Sequence, residues 1–160
     1  MIYVYDCHKQ EDTEALAKSF AQICKKSDVW ALFGTLGVGK SVFSRAFIKK
    51  LVDVDDVPSP TFTLVQVYPS TSFDIYHYDL YRLKSAEEIW ELNIEEAIYE
   101  NVCLIEWPEK MGIYLPKDCF KVNISMLSST SRRVEIEVFS EEKKNRLLQA
   151  TVKPDKIYER

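Results

Sequence analysis

Gly34-Thr35-Leu36-Gly37-Val38-Gly39-Lys40-Ser41 is the stretch that decides the fold of this chain. It has the spacing G-x-x-x-x-G-K-S, and it holds three of the four glycines in the 160-residue sequence. Glycines at this spacing let consecutive backbone N–H groups turn inward around an anion, where a Cβ would be in the way. The stretch therefore predicts a phosphate loop, whose usual ligand is a nucleoside triphosphate with Mg2+.

The positions of this loop predict particular contacts. Gly34, Gly37 and Gly39 shape the nest of amides that holds the β-phosphate. Lys40 is expected to reach the β- and γ-phosphates, and Ser41 is expected to offer its hydroxyl to Mg2+. The helix that begins here points the positive end of its dipole at the same phosphates.

The flanks of the loop agree with this interpretation. Val29-Trp30-Ala31-Leu32-Phe33 is an apolar run typical of a strand buried on both faces. After the loop, apolar residues recur at helical spacing, namely Phe43, Phe47, Ile48 and Leu51. Together they predict an α/β fold of the P-loop NTPase type, a three-layer sandwich around a mostly parallel central sheet with antiparallel additions.

The other elements follow from periodicity, turn residues and capping signals. Strands are predicted at residues 1–5, 61–68, 73–78, 102–106, 120–126 and 133–139. The pair at 61–68 and 73–78 can form a hairpin, and the last two strands suggest an antiparallel addition. Helices are predicted from about Thr13, from the capping box Ser85-Ala86-Glu87-Glu88, at residues 94–99 and at residues 140–150.

Composition limits the domain organisation. A chain of 160 residues with 46% hydrophobic content suits one domain, residues 1–150, followed by a polar tail, residues 151–160. No apolar stretch approaches the length of a membrane span, and residues 1–6 lack the basic and apolar regions of a signal peptide. We therefore expect a cytoplasmic protein with no membrane partner. Its four cysteines lack C-x-x-C spacing and are expected to be reduced.

Charge limits the partners. The 21 basic and 25 acidic residues give a net charge of −4 and a pI near 5.3. A surface of this sign is a poor stand-alone binder of nucleic acid, because affinity for the phosphate backbone comes from clustered lysine and arginine. Any nucleic acid is therefore expected to be held mainly by another protein.

Two carboxylates are candidates for chemistry beside the loop. Val102-Cys103-Leu104-Ile105 is an apolar run that ends in Glu106, the pattern by which a parallel strand delivers an acid to the edge where phosphates bind. Glu106 is therefore predicted to be the second Mg2+ anchor, directly or through water. Asp79 is a candidate to orient the attacking water or complete the metal shell, with a turn or cap aspartate as the alternative. His77 is interpreted as a packed or hydrogen-bonded histidine rather than a catalyst.

Four motifs occur in order along the chain, and together they resemble the TsaE family, also called YjeE. They are the loop from Gly34 to Ser41, then Ser59-Pro60-Thr61-Phe62-Thr63-Leu64-Val65, then His77-x-Asp79-Leu80-Tyr81-Arg82-Leu83, then Ile105-Glu106-Trp107-Pro108-Glu109. The resemblance runs from about Thr13 to Arg132. It implies binding and slow hydrolysis of ATP in support of the TsaD and TsaB proteins. These attach threonylcarbamoyl to the adenosine next to the anticodon of tRNAs that read codons beginning with A, so tRNA is an indirect partner.

The resemblance also implies residue roles in the loop and at the metal. Ser41 and Glu106 would hold Mg2+. Lys40 and the amides from Gly37 to Val42, Val38 included, would hold the phosphates.

Further roles fall on residues outside the loop. Thr61 would lie like a switch threonine near the γ-phosphate, and Asp79 would serve catalysis. Thr13 and Arg132 match family positions near the nucleotide. Trp107 resembles a tryptophan that couples nucleotide state to partner contact, with core packing as the alternative.

This chain departs from the usual family pattern at several positions. Thr35 stands where an acidic residue is usual, Val38 stands in place of alanine, Ser41-Val42 stands in place of two threonines, and Ser131 replaces the glycine before Arg132. Serine still offers Mg2+ a hydroxyl, whereas Val42 offers only its backbone N–H where a hydroxyl commonly meets the α-phosphate. We therefore expect ATP to bind with an altered affinity.

Two other functions stay open. A small-metabolite P-loop kinase would need an acceptor pocket and usually a mobile arginine-bearing lid, and the sequence has no arginine-rich, glycine-hinged segment. A module that uses ATP only to fasten an assembly, with negligible turnover, shares every nucleotide contact with the ATPase. A GTPase is disfavoured, because the chain has neither Asn-Lys-x-Asp nor Asp-x-x-Gly.

Overall fold

The computed structural model describes residues 1–159. Its strands are β1 (Ile2–Cys7), β2 (Val29–Phe33), β3 (Val65–Tyr68), β4 (Ile75–Asp79), β5 (Val102–Glu106), β6 (Phe120–Met126), β7 (Arg132–Glu137) and β8 (Lys156–Tyr158). Its α-helices are α1 (Gln10–Ile23), α2 (Lys40–Leu51), α3 (Ile94–Glu100) and α4 (Glu141–Gln149). Two 3-10 helices span Ala86–Leu92 and Pro108–Tyr114.

The strands form one eight-stranded sheet in the order β3-β4-β5-β2-β6-β7-β1-β8. The central strands β4, β5, β2 and β6 run parallel to one another, and β3, β7, β1 and β8 pair antiparallel on either side. The predicted α/β fold with a parallel centre and antiparallel additions is therefore confirmed. Because β2, β4 and β5 run parallel, Phe33, Asp79 and Glu106 end at the same edge of the sheet.

Side chains on the two faces of the sheet form two separate hydrophobic layers. One layer packs β-strand residues against α1, α2 and α4, and Trp30 lies at its centre with its ring stacked 3.9 Å from that of Phe120. The other layer packs Ala31, Tyr78 and Ile105 against α3 and the two 3-10 helices. Alternate residues of β2 thus enter opposite layers, as expected for a strand buried on both faces.

The first half of the predicted strand 61–68 is a turn. The strand β3 begins only at Val65. Leu64 has a left-handed backbone with φ 68°, and its N–H donates to the Pro60 carbonyl at 2.6 Å. The turn brings Thr61 back toward the end of β4, because the Asp79 N–H donates to the Leu64 carbonyl. The hairpin of β3 and β4 is confirmed.

Two helices differ from their predictions in extent or type. Helix α1 begins at Gln10, three residues before Thr13, since the Asp12 carboxylate accepts the N–H groups of His8 and Lys9. The predicted capping box at Ser85 is present, but the turns that follow it are 3-10 rather than α. Thr13 consequently lies in the first turns of α1, not at its start.

The segment after residue 150, interpreted from sequence as a polar tail, adds the edge strand β8. Its backbone pairs antiparallel with β1, with Val4 opposite Lys156, and the Asp155 N–H donates to the Val4 carbonyl at 2.7 Å. The predicted end of the domain at residue 150 is therefore too early for the sheet. Arg160 lies outside the described residues.

Two global expectations concern thiols and membranes. All four cysteines, Cys7, Cys24, Cys103 and Cys119, are free thiols. Within residues 1–159, no helix combines the length and apolarity needed to cross a bilayer.

Candidate functional site

The loop between β2 and α2 has the backbone that its glycines predict. Gly37 and Gly39 have φ values of 74° and 120°, in the left-handed region that residues with a Cβ rarely adopt. Gly34 has φ 148°, and a Cβ there would lie 2.7 Å from Val38 Cγ1 and 2.8 Å from the Ile124 carbonyl oxygen. Gly34 is therefore required by contact as well as by conformation, because it passes directly against the backbone of β6.

Lys40 opens α2 and turns its side chain back into the loop. Its Nζ donates to the Gly34 carbonyl at 2.5 Å and lies 3.5 Å from the centroid of the Trp107 ring. Burial lowers the pKa of Lys40, while the negative charges of Glu106, Glu109 and Asp79 oppose that shift. The ammonium thus lies within the loop, in the electrostatic field of three carboxylates that include the predicted Glu106 and Asp79.

Ser41 and Glu106, the predicted Mg2+ pair, come together. Ser41 Oγ lies 3.5 Å from Glu106 Oε1, the limit of a hydrogen bond. The other carboxylate oxygen, Oε2, is 2.6 Å from His77 Nε2 in a contact that is almost wholly buried. A hydroxyl and a carboxylate oxygen are hard ligands of the kind Mg2+ takes, so the residues fit this cation.

The rest of a magnesium shell would come from phosphate and water oxygens. Residues 1–159 contain no group of three or more His, Cys, Asp or Glu side chains placed to hold a metal ion. Mg2+ usually keeps several waters and binds through one or two carboxylates together with substrate phosphates. Ser41 and Glu106 supply the protein part of such a shell.

Asp79 and Thr61 form a second pair at the same sheet edge. Asp79 Oδ2 accepts the Thr61 hydroxyl at 2.9 Å, and Oδ1 accepts the Tyr81 N–H at 3.1 Å. The Thr61 hydroxyl also lies 2.7 Å from the Ser59 hydroxyl. Since β4 and β5 place Asp79 opposite Glu106, the pair lies beside the metal residues. Asp79 thus makes the turn contacts of its structural alternative and lies beside Glu106, while its catalytic role stays a prediction.

A cavity of about 380 Å3 lies between the loop, the start of α1 and the segment that leads into β7. It contains Thr13, Gly37, Val38, Gly39, Val42 and Arg132, all of which were predicted to lie near the nucleotide, together with Lys9, Gln10, Ser129 and Thr130. Thr13 is buried, and Arg132 reaches across from β7 to donate from Nε to the Val38 carbonyl at 2.8 Å. This bond fixes Arg132 to the loop.

A larger cavity of about 780 Å3 borders the loop at Gly34, Thr35 and Leu36. Its charged lining is Glu109, Glu135 and Glu137 against Lys121. Three carboxylates against one lysine would repel a triphosphate. The charged residues that line the smaller cavity, Lys9 and Arg132, are both cations and would attract it. The smaller cavity is therefore the better candidate for the remainder of a nucleotide.

Trp107 is packed on the core, as one of its predicted alternatives states, and it also contacts the loop. It follows the last residue of β5 with a left-handed backbone of φ 60°, and its ring lies against the Tyr81 ring at a centroid distance of 4.9 Å. Part of the ring packs on the hydrophobic layer of α3, and one face receives Lys40 Nζ. Core packing and contact with the loop thus coexist.

Sequence reasoning missed the contact of His77 with Glu106. The signal was present in the alternation of β4 and β5: Ile75, His77 and Asp79 share a face, and so do Val102, Leu104 and Glu106. With His77 opposite Leu104, Glu106 is its diagonal neighbour on that face. Alternation alone does not predict the contact, because it also requires the register of the two strands, which the sequence does not specify. Lys9, Gln10, Ser129 and Thr130 carried no such signal, because tertiary packing alone brings them to the cavity.

Comparison with known proteins gives one consistent group. The sequence model of a family described as "Threonylcarbamoyl adenosine biosynthesis protein TsaE" matches residues 7–134. The tRNA threonylcarbamoyladenosine biosynthesis protein TsaE of Rickettsia felis is 44% identical over 136 residues, which cover 84% of this chain and 80% of that protein. The protein of the same name from Bacillus subtilis is 34% identical over 125 residues, covering 78% of each chain.

A solved structure agrees with the fold. The crystal structure of YdiB from Bacillus subtilis superposes with a TM-score of 0.76 and covers 93% of this chain and 93% of that one. The identity over this superposition is 24%, so the likeness supports the architecture alone.

Proposed function

Because the chain belongs to the TsaE family of threonylcarbamoyl adenosine biosynthesis proteins, we propose that it binds Mg-ATP and hydrolyses it slowly to support that modification of tRNA, acting with TsaD and TsaB. The threonylcarbamoyl group would be attached next to the anticodon by the partners. This chain would supply a step driven by its nucleotide.

The observation that carries the ATPase proposal is the meeting of Ser41 with Glu106 at the mouth of the glycine loop. Bound Mg2+ would neutralise charge on the phosphates during phosphoryl transfer. The glycine loop offers backbone N–H groups to the phosphates, and Lys40 is near enough to exchange its contact with Gly34 for a phosphate oxygen. Most of the catalysis expected of these residues is positioning and electrostatic stabilisation.

Asp79 is the proposed residue for orienting the attacking water. Its carboxylate is buried at the sheet edge and lies close enough to influence Lys40 electrostatically. Thr61, bonded to that carboxylate, lies in the turn that replaces the first half of the predicted strand. A residue in a turn can move toward a γ-phosphate more easily than one in a sheet ladder, which suits a switch role.

The acidic surface suits an indirect contact with tRNA. With a net charge of −4, the chain would leave most phosphate contacts of the tRNA to TsaD and TsaB. Such a complex would work in the cytoplasm.

The test is phosphate release from Mg-ATP by the purified chain, alone and with TsaD plus TsaB from the same organism. Glu106→Ala removes the metal carboxylate, and Glu95→Ala, an exposed glutamate in the first turn of α3, is the matched control. We expect slow turnover that rises with the partners, is lost in Glu106→Ala and is kept in Glu95→Ala.

Other results would favour the other functions. Tight ATP binding with no phosphate release in any mixture would indicate an assembly module. Transfer of the phosphate to an added small metabolite would indicate a kinase. Undetectable binding at millimolar Mg-ATP would contradict the proposal altogether.

A further inference from the structure

A buried histidine outside the proposed catalytic set contacts the metal carboxylate directly. His77 Nε2 lies 2.6 Å from Glu106 Oε2, with side-chain exposures of 2% and 4%. We propose that His77 is a positioning residue: it holds Oε2 of Glu106 so that Oε1 stays turned toward Ser41, where the proposed Mg2+ binds. This inference rests on the proposed function.

The hydrogen-bond network indicates which nitrogen carries the donated proton. His77 Nδ1 is buried and has no hydrogen-bond partner among the described residues. With the proton on Nδ1, the lone pair of Nε2 would face the Glu106 carboxylate oxygen at 2.6 Å, and a buried N–H would also have no acceptor. With the proton on Nε2, the ring donates to that oxygen, and this tautomer is therefore favoured.

The contact selects one orientation of the carboxylate. The terminal torsion of a glutamate side chain is broad, so its two oxygens would otherwise exchange places or share a ligand. Oε2 is occupied by His77, and Oε1 is the oxygen that lies 3.5 Å from Ser41 Oγ. Glu106 therefore presents a single fixed oxygen beside the serine hydroxyl.

The sheet fixes His77 more firmly than a loop would. His77 lies in the centre of β4, paired with Leu104 of β5, and Glu106 is the last residue of that same strand. The Leu80 N–H donates to the Glu106 carbonyl at 3.0 Å, which holds the ends of the two strands together. Donor and acceptor are thus set by the register of two buried strands.

A purely structural role is the competing explanation, because a buried carboxylate needs a partner in any case. The two roles differ in what they predict for the metal. A structural bond affects folding and nucleotide binding whether or not Mg2+ is present. A positioning bond affects the gain that Mg2+ brings, and loss of a group that orients a metal ligand typically weakens metal affinity by about 10–100-fold.

The experiment compares His77→Asn with His77→Gln. The glutamine amide nitrogen reaches about as far from the backbone as His Nε2 does, whereas the asparagine amide nitrogen ends near the place of Nδ1. Calorimetry measures ATP affinity in EDTA and in Mg2+ for each full-length variant. For His77→Asn we expect an affinity in EDTA near that of the unmodified chain and a Mg2+-dependent gain about tenfold smaller. His77→Gln should recover most of that gain.

The outcomes separate this inference from the function beneath it. An unmodified chain that binds no ATP overturns both. An unmodified chain that binds ATP more tightly with Mg2+, together with His77→Asn retaining that full gain, overturns the positioning role alone. A His77→Gln variant that folds and loses as much of the gain as His77→Asn also overturns it.

A measurement without substitution decides the matter if His77→Asn fails to fold. The chain has two histidines, so the 15N resonances of His77 can be assigned against those of His8, which lies exposed before α1. We expect His77 to be protonated at Nε2 and its Nε2–H resonance to shift when Mg2+ is added to the ATP complex, with His8 unmoved. A proton on Nδ1, or no shift with Mg2+, overturns the inference.

Discussion

At the scale of single residues, the side chain of Lys40 is held inside the phosphate loop by two contacts within the protein. Its ammonium contacts the Gly34 carbonyl and one face of the Trp107 ring. A cation at this distance from an indole gains roughly 0.5–2 kcal/mol, depending on how far it is desolvated. Phosphates that bind Lys40 must compete with both contacts. Phosphate binding is therefore expected to change the environment of the Trp107 ring.

The first prediction follows from this competition. We expect ATP to change the intrinsic fluorescence of the chain, because the ammonium that lies 3.5 Å from the Trp107 ring shifts toward phosphate. Trp107→Phe should lose most of the change while its ATP affinity stays within about tenfold, since phenylalanine keeps a weaker cation contact. Trp90→Phe is the matched control, because the Trp90 ring packs edge-on against Tyr114 instead. A change that survives in Trp107→Phe would show that it arises at Trp30 or Trp90, and this would contradict the prediction.

The residues of the site were predictable to different degrees, for physical reasons. Lys40 and Ser41 follow from a local motif, and Glu106 follows from the end of an apolar strand, so the sequence alone identified them. His77 was interpreted as a packed or hydrogen-bonded histidine, and it is both, but the identity of its partner, Glu106, depends on strand register. Arg132 was predicted to lie near the nucleotide, and it does line the smaller cavity. Its bond to the Val38 carbonyl joins two residues that are far apart in the sequence, so no local pattern predicts it.

At the scale of elements, the junction of β2 with α2 is held by two kinds of glycine. Gly34 is confined by Val38 and by the backbone of β6, whereas a Cβ at Gly37 would meet nothing within 4 Å. Both have positive φ, so an alanine at either position is strained by about 1–2 kcal/mol. Only Gly34 would add a clash with backbone that cannot move aside.

The second prediction is that alanine at Gly34 lowers the free energy of unfolding more than alanine at Gly37 does. Gly34→Ala should lower the free energy of unfolding by at least about 3 kcal/mol, the sum of strain and overpacking. Gly37→Ala should lower it by about 1 kcal/mol, from backbone strain alone. Urea unfolding of both variants, followed by circular dichroism, gives the two values. Equal losses would mean that the close approach of Gly34 to Ile124 has no energetic weight.

The elements themselves were predictable where local signals agree with packing. The strand at 102–106 and the helix that follows the loop match because apolar periodicity and burial coincide there. The strand predicted at 61–68 is shortened to Val65–Tyr68, because the contact of Leu64 with Pro60 competes with a sheet ladder. No local pattern distinguishes the 3-10 turns at Ala86–Leu92 from an α-helix, since both begin with the same capping box.

At the scale of the whole molecule, segments from both ends of the sequence form one side of the sheet. β1 lies between β7 and β8, and β7 carries Arg132 to the small cavity. No local pattern in residues 151–159 predicts a strand, because β8 has only three residues and all of them are exposed. β8 forms only because it pairs with β1, which is distant in the sequence, and it covers the outer edge of that well-buried strand.

The last prediction concerns that covered edge. A chain that ends at Pro154 lacks β8 but keeps Val152, which packs on the hydrophobic layer of α1 and α2. We expect its free energy of unfolding to fall by about 1–3 kcal/mol, because the pairing of β8 with β1 and the bonds of Asp155 to Val4 and Asp6 are lost. The bare edge of β1 should also promote self-association, because unpaired strand N–H and C=O groups attract another chain. Urea unfolding and light scattering over a range of concentrations test both effects, with a chain that ends at Tyr158 as the matched control. If the two truncated chains are equally stable and associate equally, β8 does not protect the sheet and the stability of β1 comes from β7 alone.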